Sequence, residues 1–326
     1  MSHRPVRITV DVAHLREGDN DQREDIKKEN MKISICHYSF HRAWAAENWD
    51  ACRLAEEVKR IGVGAIDFHV GFLGSTERAA EMVTAALDKT GLELSGLSLS
   101  TNFGHDDPGR VSKEIEKTIS WMRIAKEVRA PVSRIFGVPL PSGLAVHVRG
   151  DGAADEARRK LKERVAAALE EVTREAESLD LVLALENHHG FPATAEEQVE
   201  LIERMNSKCF RATVDVGNYM CADQAPEVGT AIAAPYAAYV HVKDFARVAD
   251  ESIASGWRLE PRAVGRGDVN QAACLQILKD AGFDGFVAIE YEGHENERIG
   301  VAQSVEFLNT IISNGAHMFT EIYECR

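Results

Sequence analysis

The chain has few cysteines for its length, and none of them stands in a paired spacing. Among 326 residues there are six: Cys36, Cys52, Cys209, Cys221, Cys274 and Cys325. Several of them lie in apolar stretches, which is typical of reduced thiols in a core. The pattern therefore argues against a disulfide framework and against a zinc knuckle.

The chain also lacks an excess of positive charge and any long apolar run. Its 52 acidic residues outnumber its 38 basic ones, so the formal net charge is -14. Nucleic-acid and anionic-membrane surfaces depend on clustered Lys and Arg, and without such a cluster we expect neither partner. No stretch reaches transmembrane length, and residues 1–30 are polar without the apolar region of a signal peptide. The expected location is therefore the cytoplasm.

What the chain does have is a regular alternation of short apolar runs with longer segments of helical period. This alternation is typical of βα units around a parallel sheet. The strand candidates are ISIC near Ile33, AIDFH ending at His69, LELSGLSLS ending at Ser100, VSRIFG ending at Gly137, LVLALEN ending at Asn187, FRATVDVG ending at Gly217, AYVHVKD ending at Asp244 and FVAIEYE ending at Glu292. Eight such units match the size of an α/β (β/α)8 TIM barrel. We predict an N-terminal extension over 1–30 and one TIM-barrel domain over 31–326.

Two of the helices between these strands are well marked. Residues 155–179 carry apolar side chains at helical spacing. A second helix is predicted to begin after Ser75, a common N-cap residue, and to end at Gly91. Residues 246–264 are predicted to form a long loop, of the kind that often serves as a lid or an interface.

Metal-type ligands stand at the ends of the last four strand candidates. They are Glu186, Asp215, His241 and Glu290. Catalytic side chains of this fold lie at the carboxyl ends of the strands, and four consecutive strands can bring theirs together. A carboxylate at the mouth of a buried strand is costly unless it meets a cation. Three carboxylates and one imidazole predict one divalent metal ion, with Mn2+ favoured and Mg2+ or Co2+ as alternatives.

A metal held in this way suits the removal of a proton from a carbon next to a carbonyl. A metal that chelates the carbonyl and an adjacent hydroxyl stabilises the enediolate that forms. One glutamate near the metal can remove the proton, and a second can return one. Return to the opposite face inverts the centre, whereas return to the neighbouring carbon isomerises the substrate.

Five motifs occur in a fixed order: ALENHHG, TVDVGN, YVHVKDF, GRGDVN and VAIEYEG. They resemble the strand-end motifs of the sugar phosphate isomerase/epimerase family, the xylose-isomerase-like TIM barrels, over nearly all of the chain after Met31. The resemblance implies that one divalent metal is bound by Glu186, Asp215, His241 and Glu290. It further implies that Glu186 and Glu290 act as the acid/base pair.

Four other residues are predicted to contact the substrate. The resemblance implies this role for His188 and Arg266, and it places Lys243 at a common polar position beside the metal histidine. His69 ends the second strand candidate and is predicted to form a polar wall of the pocket. His189 is predicted to point away from the site, because strand side chains alternate between faces.

The glycines of GRGDVN are open to two interpretations. A phosphate cradle is one, and a flexible turn before the next helix with Asp268 as the N-cap is the other. We favour the turn. The chain also shows no Lys/Arg cluster for a phosphate, which favours an unphosphorylated sugar or keto-sugar as the substrate.

The expected function is therefore a divalent-metal-dependent sugar isomerase or epimerase. A metal-dependent lyase that cleaves 3-oxo-glycosides, similar to C-glycoside deglycosidase catalytic subunits, shares the first step and is the alternative. Endonuclease IV uses the same barrel with three zinc ions and more histidines, but Asn218 stands where that family has one of them. A non-catalytic sugar-binding barrel is a further alternative, and a homo-oligomer or a partner subunit stays open.

Overall fold

The structure is a computed structural model that describes residues 31–139, 152–252 and 256–314. The predicted N-terminal extension over 1–30 lies outside the described residues. Within the described part, the chain forms strands, helices and connecting loops in regular alternation.

The described residues contain a closed barrel and one separate hairpin. The strands are β1 Lys32–Cys36, β2 Ala65–His69, β3 Glu93–Ser98, β4 Ser133–Ile135, β5 Leu183–Glu186, β6 Phe210–Asp215, β7 Ala237–Val242, β8 Asp244–Ala249, β9 Trp257–Arg262 and β10 Phe286–Ile289. Strands β1 to β7 and β10 close into a barrel in the order β1-β10-β7-β6-β5-β4-β3-β2. Neighbouring barrel strands are parallel. The predicted TIM barrel is confirmed.

Helices connect the barrel strands on the outside. They are α1 His41–Glu47, α2 Ala51–Ile61, α3 Val70–Leu73, α4 Thr76–Thr90, α5 Pro108–Glu127, α6 Gly152–Leu179, α7 Ala195–Met205, α8 Asn218–Cys221, α9 Pro226–Ala233, α10 Gln271–Asp280 and α11 Glu297–Asn314. Both predicted helices are present, as α4 and α6. Ser75 is the N-cap of α4, and Gly91 ends it with φ 73°, a left-handed conformation that glycine adopts without strain. Among the described helices, none is long and apolar enough to cross a membrane.

The core has two layers, one between the barrel strands and the helices and one inside the barrel. The inner layer is small and consists of Cys36, Val132, Ala184, Tyr239 and Ala288. Three of these residues, Ala184, Tyr239 and Ala288, come two positions before a predicted metal ligand. Residues two apart share a strand face, so those ligands form the next layer inside the barrel, at the carboxyl end of its strands.

The segment between β7 and α10 differs from the prediction. Instead of a long loop, it forms an antiparallel hairpin of β8 and β9, with Asp244 paired to Arg262 and Ala249 to Trp257. The Arg247 guanidinium lies 4.8 Å from the centroid of the Trp257 ring across the two strands. Most of the hairpin is exposed or half-buried. Strand β9 does alternate apolar and charged residues, but this short run contains Pro261, which argues against a strand. The pairing with β8 therefore decides the structure.

Candidate metal centre

The four predicted ligands meet at the carboxyl end of the barrel. Glu186 and Asp215 are the last residues of β5 and β6, His241 is the last but one of β7, and Glu290 directly follows β10. One possible ligand atom from each lies within 4.8 Å of the others, and all four residues are buried. Because β5, β6, β7 and β10 are consecutive in the closed barrel, their ends converge on one point, as the strand order predicts.

Backbone contacts hold the aspartate of the centre in place. Asp215 Oδ1 accepts hydrogen bonds from Gly217 N at 3.0 Å and Asn218 N at 2.9 Å. Asn187 bridges β5 and β6, since its side chain donates to Asp215 O and accepts from Asp215 N, both at 2.9 Å. These bonds leave Asp215 Oδ2 as the oxygen that faces the centre.

Several ligand atoms are buried without a hydrogen bond from any described residue. They are Glu186 Oε2, Asp215 Oδ2, His241 Nδ1 and His241 Nε2. His241 Nδ1 is 3.8 Å from Glu186 Oε2 and 3.8 Å from Glu290 Oε2. Neither imidazole nitrogen has a hydrogen-bond partner among the described residues, and the two carboxylate oxygens form only ion pairs, with Arg134 and Lys243. A divalent cation would coordinate oxygen and imidazole donors at this spacing. The donor set therefore fits a metal ion, and its oxygen-rich character fits Mg2+ or Mn2+ better than structural zinc.

Lys243 places a cation beside three of the carboxylates. Its Nζ lies 3.2 Å from Asp215 Oδ2 and 2.9 Å from Glu292 Oε1, and it forms a close ion pair with Glu290. Burial opposes the charged form, but Asp215 and Glu290 outweigh it and raise the pKa of Lys243 well above its usual value. The ammonium group therefore compensates part of the negative charge of these carboxylates.

The acidic groups of the centre differ in pKa because their surroundings differ. Burial raises the pKa of Glu186, but Arg134 and His241 outweigh it and lower that pKa to about 2. Burial likewise acts against Glu290, whose pKa Lys243 and His241 hold well below its usual value. Asp215 behaves differently, because burial raises its pKa to about 7 despite Lys243. Both glutamates are therefore ionised at neutral pH.

A buried hydrogen-bond network around Asp67 lies on the Nε2 side of the His241 ring. Asp67 on β2 accepts hydrogen bonds from Ser98 Oγ at 2.6 Å and from Tyr239 OH at 3.4 Å. Tyr239 OH also lies 3.1 Å from Ser95 Oγ. Asp67 Oδ2 is 3.8 Å from His241 Nε2, on the side of the ring away from the glutamates. At this distance Asp67 acts on the imidazole through its negative charge, which favours the protonated ring.

His188 and His69 lie near the centre and are neutral. His188 Nδ1 is 2.6 Å from Pro139 O, and its ring lies 4.6 Å from that of Phe136. His69 Nδ1 accepts from Gly71 N at 3.1 Å, and its Nε2 is 3.3 Å from Ser100 Oγ. Burial lowers the pKa of both rings to about 4. Their roles in substrate binding stay predictions.

His189 does not point away from the site. Its ring stacks on that of His188, with centroids 4.6 Å apart, and its Nε2 lies 3.4 Å from Cys221 Sγ. The prediction was wrong because β5 ends at Glu186. Side-chain alternation applies only while the backbone remains extended.

The glycine-rich loop wraps around a carboxylate of the protein itself. Asp244 Oδ2 accepts from Gly265 N at 2.8 Å and Gly267 N at 3.0 Å, and Oδ1 accepts from Val269 N at 3.1 Å. These amides are therefore not available to cradle a phosphate, in agreement with the interpretation as a turn. The side chain of Arg266 is exposed on this loop, and its contact with the substrate stays a prediction.

The predicted N-cap of the helix after this loop, Asp268, lies two residues before the observed one. Helix α10 is capped by Asn270, whose Oδ1 accepts from Ala273 N at 3.1 Å. Asp268 instead accepts from Arg247 N at 2.7 Å and so fastens the hairpin to the loop. The hairpin, which sequence analysis did not predict, provides this competing donor.

Sequence analysis also missed a charged residue in the centre. Arg134 on β4 is buried, and its Nε lies 3.1 Å from Glu186 Oε2. The guanidinium carbon is 4.1 Å from the centroid of the Phe136 ring. The signal was a basic residue inside the apolar run VSRIFG, since arginine is rarely buried without a partner of opposite charge.

Comparison with known proteins identifies the family. The sequence profile described as "Xylose isomerase-like TIM barrel" matches residues 55–311, and the chain belongs to this family. A search of curated protein sequences gave no match.

Solved structures with the same fold include several that have sugars or metals in their descriptions. A xylose isomerase-like TIM barrel protein from Mycobacterium smegmatis, in complex with magnesium, has a TM-score of 0.66 at 17% identity, covering 87% of this chain and 97% of that one. D-psicose 3-epimerase from Clostridium cellulolyticum H10, with D-tagatose, has 0.66 at 14%, covering 86% and 99%. 3-Keto-D-glucoside 4-epimerase from E. coli has 0.66 at 16%, covering 86% and 99%. At such identities the likeness shows the fold.

Proposed function

We propose that this protein is a divalent-metal-dependent isomerase or epimerase that acts on a ketose or keto-sugar. The observation that carries the proposal is the convergence of Glu186, Asp215, His241 and Glu290 on one point, with ligand atoms that lack hydrogen bonds. The sugar epimerases among the structures of the same fold support the choice of substrate class.

The metal would be held by the same four side chains. Bound there, a divalent ion would act as a Lewis acid toward the substrate carbonyl. The M. smegmatis protein is described with magnesium, and a structure at 16% identity, the IOLI protein, is described with zinc. Mn2+ remains our proposal for this chain, because its donors are mostly carboxylate oxygens.

The proton transfers are assigned to the two glutamates. Glu186 and Glu290 are both ionised, so either can accept the proton from the carbon next to the carbonyl. The glutamate that has accepted the proton can return it to the neighbouring carbon, which isomerises the sugar. Return to the opposite face needs the other glutamate in its protonated form, so each epimerisation takes one proton up from solvent and releases one. Glu186 is 1% exposed and Glu290 is 6% exposed. Such burial limits the contact of both carboxylates with bulk water while a substrate is bound.

Lys243 and Asp67 are assigned supporting roles. Lys243 touches Glu290 and Asp215 and holds both carboxylates in their inward orientation. Asp67 stands behind the imidazole of His241. His188, beside Glu186 in sequence and neutral, is available to hydrogen-bond a substrate hydroxyl.

The test is metal content followed by isotope exchange. Purified protein is loaded with Mn2+, desalted and measured by plasma mass spectrometry, with Glu290→Gln as the site variant and Glu260→Gln on the exposed hairpin as the control. The wild type and both variants are then incubated with ketoses and with a 3-keto-glucoside in D2O. For the wild type we expect one metal ion per chain and an epimer or isomer that carries carbon-bound deuterium. The turnover rate should fall by about 100-fold or more in Glu290→Gln and stay unchanged in Glu260→Gln.

Other outcomes distinguish the alternatives. Release of an aglycone from the keto-glucoside would identify the lyase. Three zinc ions per chain would point to the nuclease. Turnover that is unchanged in Glu290→Gln, or a wild-type protein that takes up no metal, would overturn the proposal.

A further inference from the structure

Arg134 lies inside the barrel next to the candidate metal centre. It is the middle residue of β4, and the register pairs it with Ala184 on β5. From there its side chain extends to Glu186, with Nε 3.1 Å from Oε2, and it is 2% exposed. Phe136 covers one face of the guanidinium at 4.1 Å. A stacked guanidinium has a fixed plane, so its donors have fixed directions.

The donors of this guanidinium are not all used by the described residues. Nε and Nη1 are both buried and have no hydrogen-bond partner there. The contact with Glu186 is at ion-pair distance, but it lacks the alignment of a hydrogen bond. An arginine kept only to neutralise a carboxylate typically pairs with it through two parallel N–H bonds. The ion pair thus neutralises the charge of Glu186, but N–H groups of Arg134 remain without a hydrogen-bond acceptor among the described residues.

The strand registers place Arg134 level with the predicted polar wall of the pocket. It pairs with Ser98 on β3, which in turn pairs with His69 on β2. Arg134 therefore lies in the same layer of the barrel as His69, while its side chain reaches Glu186. Burial lowers its pKa, but Glu186 and Glu290 outweigh this effect and raise it above the usual value, so the guanidinium stays charged.

We propose that Arg134 is a further catalytic residue, whose unpaired N–H groups bind the carbonyl oxygen of the substrate and stabilise the negative charge that forms on it. This inference rests on the proposed function. When a glutamate takes the proton, the electron pair of the C–H bond forms the C=C bond of the enediolate. The π pair of the C=O bond moves to oxygen, and that oxygen accepts hydrogen bonds from Arg134. The chemical class of ligand is a planar oxyanion next to a hydroxyl.

The test compares a charged ligand with a neutral one. Glycolohydroxamate is a planar mimic of an enediolate, and dihydroxyacetone is the neutral hydroxyketone of similar size. Binding of each to the Mg2+-loaded protein is measured by titration calorimetry, together with metal content and the melting temperature. The variants are Arg134→Ala and Arg134→Lys. The control is Arg211→Ala, an arginine on β6 that donates to Pro235 O at 2.8 Å and lies near Tyr236.

We expect Arg134→Ala to weaken glycolohydroxamate binding by about 10- to 100-fold, the size of one charged hydrogen bond. Binding of dihydroxyacetone should change much less, and millimolar guanidinium should restore part of the hydroxamate affinity. Arg134→Lys should keep an intermediate affinity, because it retains the charge but not the planar fork. Arg211→Ala should resemble the wild type.

The result that overturns the proposal is equal hydroxamate binding by wild type and Arg134→Ala while both hold metal. If Arg134→Ala loses its metal or its fold, Arg134→Lys decides: metal-loaded Arg134→Lys with wild-type affinity for the hydroxamate also overturns it. Failure of the proposed function is a separate result, since it appears as absent metal in the wild-type protein.

Discussion

At the scale of single residues, Lys243 is a buried cation among the carboxylates of the candidate metal centre. Its ammonium group contacts Asp215, Glu290 and Glu292 and is 2% exposed. A buried cation among carboxylates is stable only while both signs are present. A divalent metal in the same cluster would supply the positive charge that Lys243 supplies without it.

Lys243→Met should therefore affect the metal-free protein most. We expect the free energy of unfolding without metal to fall by about 3–5 kcal/mol, because buried carboxylates are left without a counter-charge. Saturating Mg2+ should recover part of this loss. Urea denaturation with and without Mg2+ measures both quantities.

The control for this substitution is Lys89→Met, which removes an exposed ion pair with Glu56. It should cost no more than about 1 kcal/mol, with or without Mg2+. A Lys243→Met protein as stable as the wild type without metal would contradict the role of Lys243 as the compensating cation.

At the scale of elements, the hairpin β8–β9 and the loop behind it form one unit around Asp244. This carboxylate accepts from the amides of Gly265, Gly267 and Val269. Gly267 leaves no space for a side chain, since an added Cβ would lie 2.6 Å from Phe245 O and closer still to Asp244 Oδ1. The unit therefore fixes the loop that carries Arg266.

Gly267→Ala should displace this loop. The crowding against Phe245 O cannot be relieved by a side-chain rotation, so we expect a loss of about 1–3 kcal/mol in the free energy of unfolding. Gly64→Ala is the matched control, because an added Cβ there meets nothing within 4 Å, and it should change stability by less than about 0.5 kcal/mol. Urea denaturation of both variants makes the comparison. Equal stability of the two variants would show that the loop is not fixed by Asp244.

At the scale of the whole molecule, proton uptake and the proposed metal binding involve the same side chains. Burial lowers the pKa of His241, but Glu186 and Asp67 outweigh it and raise the pKa from 6.5 to about 10 in the metal-free protein. This raised value adds stability below pH 6.5 that is lost as the pH rises through about 10. Asp215, with its pKa raised to about 7 by burial, is partly protonated at neutral pH.

Metal affinity should therefore rise with pH. A metal requires a neutral imidazole and ionised carboxylates. At pH 8, binding should release about one proton, from His241. At pH 6 it should release about two, because Asp215 is then protonated as well. Calorimetric titration with Mg2+ at pH 6 and pH 8, in buffers of different ionisation enthalpy, counts the protons. Glu290→Gln, which lacks one ligand, should bind weakly at both values. A wild-type affinity that is independent of pH would contradict this assignment of charges.

The convergence of Glu186, Asp215, His241 and Glu290 could be predicted because two local rules are enough. Side chains alternate along each strand, and the carboxyl ends of parallel strands share one edge. Arg134 could not be placed beside Glu186 in the same way. Their contact depends on the register between β4 and β5 and on barrel closure. Neither can be deduced from the alternation of side chains along a single strand.

The sequence alone determined the barrel, the order of its strands and the four donors at their ends, because these follow from patterns with a fixed local period. Only the tertiary structure decided which buried atoms lack a partner, that Lys243 compensates the carboxylates, and that Asp244 occupies the amides of the glycine-rich loop. The physical reason is that desolvation and ion pairing depend on distances between residues far apart in the chain. Those distances exist only after the sheet has closed.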